Sequence, residues 1–209
     1  MILDKKDLEI VLSNLKSFEN PKFELEQYST PSDLAADLLW QAFMDGNIHN
    51  KVVVDLGCGT GILAFGASML GAEIVYGFDV DNEALKTAEE NLKRLKEIKI
   101  ILKKIIFMKK DVSEVNKLCD TVIMNPPFGI QTHKADRPFL EKAFELSNFV
   151  YSIHSVNSGR YLKAFAEEHN FNAALIKKGK IILPPTMKFH TKSKYPINVE
   201  IWRFVRVQK

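Results

Sequence analysis

Lys51-Val52-Val53-Val54-Asp55-Leu56-Gly57-Cys58-Gly59-Thr60-Gly61-Ile62-Leu63-Ala64 decides the fold class. Its β-branched run reads as a strand buried on both faces. Three glycines at alternate positions permit a sharp turn, and the apolar spacing from Ile62 to Leu70 predicts a helix that Gly71 ends. Outward from this unit, residues 74–79 read as a second strand closing in Asp79, and Asp81 caps a helix carrying Ala84, Leu85, Ala88, Leu92 and Leu95 on one face. The pattern continues with strands at 100–108 and 121–124, a helix at 137–149, a strand at 150–154 and a helix at 160–169. Two strands close the chain, near 171–183 and 196–207. Upstream, 3–18 and 31–43 read as helices covering the start of the sheet, with Thr30 as N-cap and Pro31 at the first helical position. Strand and helix alternate, so the fold class is α/β with a mostly parallel sheet, and the helix-free final pair predicts an antiparallel hairpin at one edge. A single domain is expected over 1–209, with a helical cover at 1–50 and the core at 51–209.

Composition narrows the function classes. Of 209 residues, 46% are hydrophobic and 26% charged, which excludes a disordered or fibrous chain. No apolar stretch approaches the roughly 20 residues of a membrane span, and the opening Met1-Ile2-Leu3-Asp4-Lys5-Lys6-Asp7 lacks a signal-peptide core. Two cysteines, Cys58 and Cys119, exclude a disulfide scaffold and a four-Cys zinc site and fit a reducing cytoplasm. The five histidines form no H-E-x-x-H and none stands at zinc spacing from a cysteine, so no metal is expected. The net charge of +3 hides a split: residues 177–209 carry nine Lys/Arg against one Glu, and residues 93–110 carry eight against one. Such segregation suggests a polyanion meeting one side of the molecule, against the plainer alternative of solvated lysine-bearing faces.

The glycine turn sits where open α/β sheets bind ligands, outside the carboxyl ends of the strands. Asp79 follows Gly57 by 22 residues, a position from which a carboxylate accepts hydrogen bonds from ribose hydroxyls. Gly59-Thr60-Gly61-Ile62-Leu63-Ala64 also fits the dinucleotide pattern G-x-G-x-x-A, which keeps an NAD-linked oxidoreductase open. Asp55 argues for a different nucleoside. An acid immediately before the glycines repels a pyrophosphate and attracts a cationic cofactor such as S-adenosylmethionine.

Asn125-Pro126-Pro127-Phe128 follows the fourth strand, beside the glycine turn. Consecutive prolines stiffen a loop and remove two donors, which leaves carbonyl oxygens to face a ligand. An amino group conjugated to a ring is a poor nucleophile. The Asn125 amide oxygen and the Pro126 carbonyl are placed to accept its two N–H groups and stabilise the charge that develops on nitrogen. Phe128 offers a flat face for stacking.

Asp55-x-Gly57-x-Gly59-x-Gly61 resembles the cofactor signature of class I methyltransferases, and Asn125 to Phe128 resembles the (Asp/Asn)-Pro-Pro-(Tyr/Phe) loop of those that methylate amino groups of adenine, guanine or glutamine. Gln27-Tyr28-Ser29-Thr30, Gly77-Phe78-Asp79-Val80-Asp81, Thr121 to Gly129 and Lys188-Phe189-His190 complete a nearly full-length resemblance to the small-subunit ribosomal RNA N6-adenine methyltransferases, the methyltransferase-like protein 5 group. The loop 130–136 departs from that family's polar loop. The resemblance implies a Rossmann-like, mostly parallel seven-stranded sheet with helices on both faces and an antiparallel C-terminal strand. It implies S-adenosylmethionine held by Gln27, Thr30, Asp55, Gly57, Gly59, Thr60, Gly61, Ile62, Asp79, Asp111 and Val112, with Asp111 on the adenine amino group and Asn125, Pro126, Pro127 and Phe128 catalytic. It also implies a small zinc-binding activator adding a strand beside the third strand. The expected substrate is an adenine in structured ribosomal RNA, flipped out or single-stranded, gripped by Lys188, Phe189, His190, Lys192 and Lys194, whose interleaved cations and aromatics suit phosphates and unstacked bases. Guanine N2 and a protein glutamine amide stand as alternative targets.

Overall fold

A computed structural model of the chain describes residues 4–129, 135–183 and 195–207. Seven strands among the described residues form one sheet: β1 (Val52–Leu56), β2 (Ile74–Asp79), β3 (Lys104–Lys109), β4 (Thr121–Met124), β5 (Phe149–Ser155), β6 (Phe171–Leu183) and β7 (Tyr195–Arg206). Their order is β3-β2-β1-β4-β5-β7-β6. The first five are parallel, while β7 runs antiparallel between β5 and β6. The helices are α1 (Lys5–Ser13), α2 (Ser32–Met44), α3 (Ile62–Met69), α4 (Asn82–Glu97), α5 (Arg137–Leu146) and α6 (Gly159–Glu168).

The central strands are buried on both faces because their side chains alternate between two apolar cores. Val53, Val75, Ile123 and Tyr151 pack into one core with α1, α2 and α3. Val54, Leu56, Val122, Met124 and Val150 pack into the other with α5 and α6. Each fully buried Val or Leu stabilises the fold by about 1.5–3 kcal/mol, so the sheet is a rigid base for whatever stands on its rim. β1 lies between β2 and β4. The chain leaves β1 toward one side and later returns on the other, which opens a crevice at the carboxyl ends of these strands.

Several expected boundaries move, each for a local reason. β3 begins at Lys104 rather than at residue 100, because α4 ends in a reversal: Lys99 takes a left-handed φ of 59° and Ile100 N–H bonds to Leu95 O at 3.0 Å. The expected helix 137–149 stops at Leu146, where Ser147 turns extended and its Oγ engages Asp120 O and Phe149 N. α1 spans only Lys5–Ser13, with Asp4 as N-cap, so residues 14–31 become a strap between α1 and α2 containing one short 3₁₀ turn, Phe23–Leu25. Thr30 is not the N-cap of α2. Pro31 occupies that place, and the Thr30 hydroxyl serves Asn125 instead. Among the described residues the two basic stretches also lie apart. One runs along α4 and β3 and the other along β6 and β7, at opposite edges of the sheet.

Candidate functional site

A cavity of about 750 Å³ opens over the carboxyl ends of β1, β2 and β4. One half is built by the strand ends: Asp55 in β1 with Gly57, Cys58, Gly59 and Thr60 after it, Asp79 closing β2 with Val80 after it, Asp111 and Val112 after β3, and Asn125 and Pro127 after β4. The other half is the strap, which contributes Lys16, Phe18, Gln27, Tyr28 and Thr30 among others. Pro138 and Phe139 at the start of α5 close the side.

The glycine turn is shaped as a cradle. Gly57 and Gly59 sit at φ of 70° and 53°, where L side chains are strained. A Cβ at Gly57 would stand 3.0 Å from the Phe139 ring, and one at Gly59 would stand 2.8 Å from the Phe18 ring. Gly61, at φ 90°, does not line the cavity: a Cβ there would meet Phe65 at 2.7 Å, so its need for glycine comes from core packing behind the turn. Ile62 and Thr60 do line it.

Three acids face the cradle in different electrostatic states. Asp55 is 1% exposed; its Oδ2 accepts the Ala64 N–H at 3.0 Å, and its Oδ1 is buried without a partner. Burial pushes its carboxyl up to about 8, helped by the nearby Asp79 and opposed by the Ala64 bond. Burial likewise raises Asp79, although its oxygens accept N–H groups from Gly59 at 2.8 Å and Asp81 at 2.9 Å. Asp111 lies lower than an ordinary carboxylate because the Ser113 hydroxyl and N–H both donate to its Oδ1. Burial and these acids keep Cys58 a thiol, so it offers no nucleophile. An orphaned acidic oxygen under a glycine cradle fits a cationic nucleoside ligand. It suits a pyrophosphate poorly.

The Asn125-Pro126-Pro127-Phe128 loop is held by alternate residues of the strap. Glu26 Oε2 accepts the Phe128 N–H at 2.7 Å, the Tyr28 hydroxyl reaches Pro126 O at 3.4 Å, and Asn125 Nδ2 donates to Thr30 Oγ1 at 2.9 Å. The last bond fixes which way the amide points, and Asn125 Oδ1 is left buried with no hydrogen-bond partner among the described residues. Desolvation raises the Tyr28 hydroxyl well above its ordinary value and keeps it a donor.

Two further expected placements are corrected. Pro126 does not line the cavity, and its carbonyl already faces Tyr28. Nor does Phe128, which is half-buried and packs its ring on Tyr28 with centroids 5.1 Å apart. Gln27 lines the cavity, but its amide bridges Lys22 N and Asp81 Oδ2, both at 2.8 Å. Lys188, Phe189, His190, Lys192 and Lys194 lie outside the described residues. Motif reading missed Glu26 as a support for the loop and Phe18 as a roof on Gly59. The available signal was the i, i+2, i+4 spacing of Glu26, Tyr28 and Thr30, although Glu26 itself takes a left-handed φ of 49° rather than an extended one.

Residues 28–147 match the family model of the methyltransferase small domain. The rRNA N(6)-adenosine-methyltransferase METTL5 of Danio rerio is 36% identical over 208 residues, covering 95% of this chain and 97% of that protein. Its Drosophila melanogaster counterpart is 35% identical over 211 residues, covering 97% of this chain and 96% of that protein. Among solved structures, a candidate RNA methyltransferase from Pyrococcus horikoshii superimposes with a TM-score of 0.89 at 48% identity, covering 100% of both chains.

Proposed function

The chain belongs to the methyltransferase small domain family and, within it, to the METTL5-type rRNA N6-adenosine-methyltransferases, and on that premise we propose that it methylates the exocyclic N6 of an adenine in structured small-subunit ribosomal RNA. Membership replaces the NAD-linked alternative left open by the glycine pattern. The observation that carries the assignment is Asn125 Oδ1, an acceptor buried beside the cavity without a partner among the described residues.

The cofactor is S-adenosylmethionine, which when bound supplies an electrophilic methyl carbon. Asp79 and Asp111 suit its ribose and adenine, and Asp55, protonated in the ligand-free chain, suits its positive charge once that charge draws the proton off, with Gly57 and Gly59 admitting close approach. On the substrate side, Asn125 Oδ1 accepts one N–H of the target amine and turns the nitrogen lone pair out of conjugation with the ring. The same oxygen stabilises positive charge developing on nitrogen, in a site preorganised by Thr30. No side-chain base is required, because the amine becomes acidic as it is alkylated and releases its proton to water. The alternate anchoring by Glu26, Tyr28 and Thr30 keeps this loop from relaxing away from the cavity.

We place this activity in the cytoplasm, where Cys58 and Cys119 stay reduced; among the described residues no helix is long and apolar enough to cross a membrane. A small zinc-binding activator would add its strand to β3, the sheet edge flanked by Ile98 and Ile101, which are 59% and 84% exposed. A chain that stays monodisperse and fully active without any partner would overturn that last assignment. The central test is incubation with labelled methyl donor and small ribosomal subunits lacking the modification, followed by nucleoside analysis. The expected product is N6-methyladenosine; label in guanine or in protein glutamine would overturn it.

A further inference from the structure

Asn91 lies on α4, is fully buried and does not line the cavity. Its amide is nevertheless completely engaged. Oδ1 accepts the Lys16 N–H at 2.8 Å, and Nδ2 donates to Lys16 O at 3.0 Å and to Thr60 O at 3.2 Å. One side chain thus clasps the backbone of the strap on both its polar groups and ties it to the glycine turn. Further ties run along the same helix: Lys16 to Glu90 at 2.9 Å, Lys22 to Asp81 at 2.5 Å and to Glu83 at 3.2 Å, and Gln27 to Asp81. Asp81 in turn donates its N–H to Asp79. The strap's two limbs are joined through the Ser17 and Ser29 hydroxyls. Its far limb carries Glu26, Tyr28 and Thr30, which hold the Asn125 loop.

We propose that Asn91 is a positioning residue, which through the strap couples the pocket for the methyl donor to the loop that orients the target amine. The strap holds Phe18 against Gly59 and, through the Ser17–Ser29 link, keeps Glu26 and Thr30 on their partners in the loop. Each half of the reaction is therefore assembled more completely when the other is in place. The inference rests on reading the cavity as the methyl-donor site.

The test compares the intact chain with Asn91→Ala and Asn91→Asp. Aspartate keeps the acceptor for Lys16 N–H but cannot donate to Lys16 O or Thr60 O. S-adenosylhomocysteine affinity is measured by calorimetry and single-turnover methylation with saturating donor, both well below the melting transition. Both quantities are expected to fall by roughly tenfold in both variants, as for networks that carry coupling between sites. Unchanged affinity and rate with only a lowered melting temperature would reduce Asn91 to a fold residue and overturn the proposal. Hydrogen exchange on the unaltered chain gives a second route if the variants do not fold. S-adenosylhomocysteine is expected to slow exchange at Lys16 N–H and Phe128 N–H together; protection confined to the glycine turn overturns the coupling. Absence of any S-adenosylhomocysteine binding by the unaltered chain would instead overturn the methyltransferase reading itself.

Discussion

The two halves of the cavity are built on opposite principles. The half on the strand ends takes its shape from short local motifs on a rigid sheet, each residue within a few positions of a buried strand. The strap half has little regular structure and is fixed by side chains reaching across 54 to 102 positions of sequence, as in Gln27 to Asp81 and Glu26 to Phe128. The difference teaches a division of labour: chemistry sits on the sheet, and alignment is imposed by the strap.

The largest expected effect breaks the comparison on the sheet side. Asn125→Ala should lower turnover by about 10²–10³, by analogy with deleting a group that stabilises developing charge. S-adenosylhomocysteine affinity should stay within about twofold, as measured by calorimetry. Equal loss of affinity would show that the two halves share one function. Asp79→Ala should do the reverse, weakening that ligand by roughly 10–100-fold through lost hydrogen bonds to a charged acceptor while leaving saturated turnover nearly intact. Thr30→Val tests the strap alone. Removing the partner of Asn125 Nδ2 should slow turnover by about tenfold, and Thr30→Ser should restore it. If Thr30→Val proved as damaging as Asn125→Ala, alignment and chemistry could not be assigned to separate halves.

The smallest effect appears in stability. The folded, ligand-free chain holds a proton on Asp55 that the unfolded chain releases near the ordinary 3.8, so stability should be fully present below that pH and decline as pH rises through about 8. Asp79, also raised by burial, acts in the same direction. A series of thermal midpoints should flatten in Asp55→Asn, and a slope that persists unchanged would assign the pH response to other groups.

Legibility follows the same line between the halves. β4 fell on its expected residues and Asp81 caps α4 as read, because a β-branched run and a capping carboxylate act on their immediate neighbours. The glycine turn and the Asn125 loop were legible for the same reason. Thr30 was misread because a Thr-Pro pair does signal a helix start; its hydroxyl is diverted by an asparagine 95 positions away, a preference that local sequence cannot express. Phe128 was expected to face the ligand because aromatic rings stack on bases, and its contact with Tyr28, from a segment 100 positions away, is one that local sequence does not announce. The lysine-rich stretches were visible as charge, but strand order alone decides that they stand at opposite edges.

Asn125 Oδ1 has a thermodynamic corollary. An acceptor buried with no partner among the described residues costs the ligand-free protein stability, of order 1–3 kcal/mol. Durability and activity therefore pull against each other at this one atom: a side chain without that oxygen should melt no earlier than the natural one, and the natural one becomes fully comfortable only while an amine is docked.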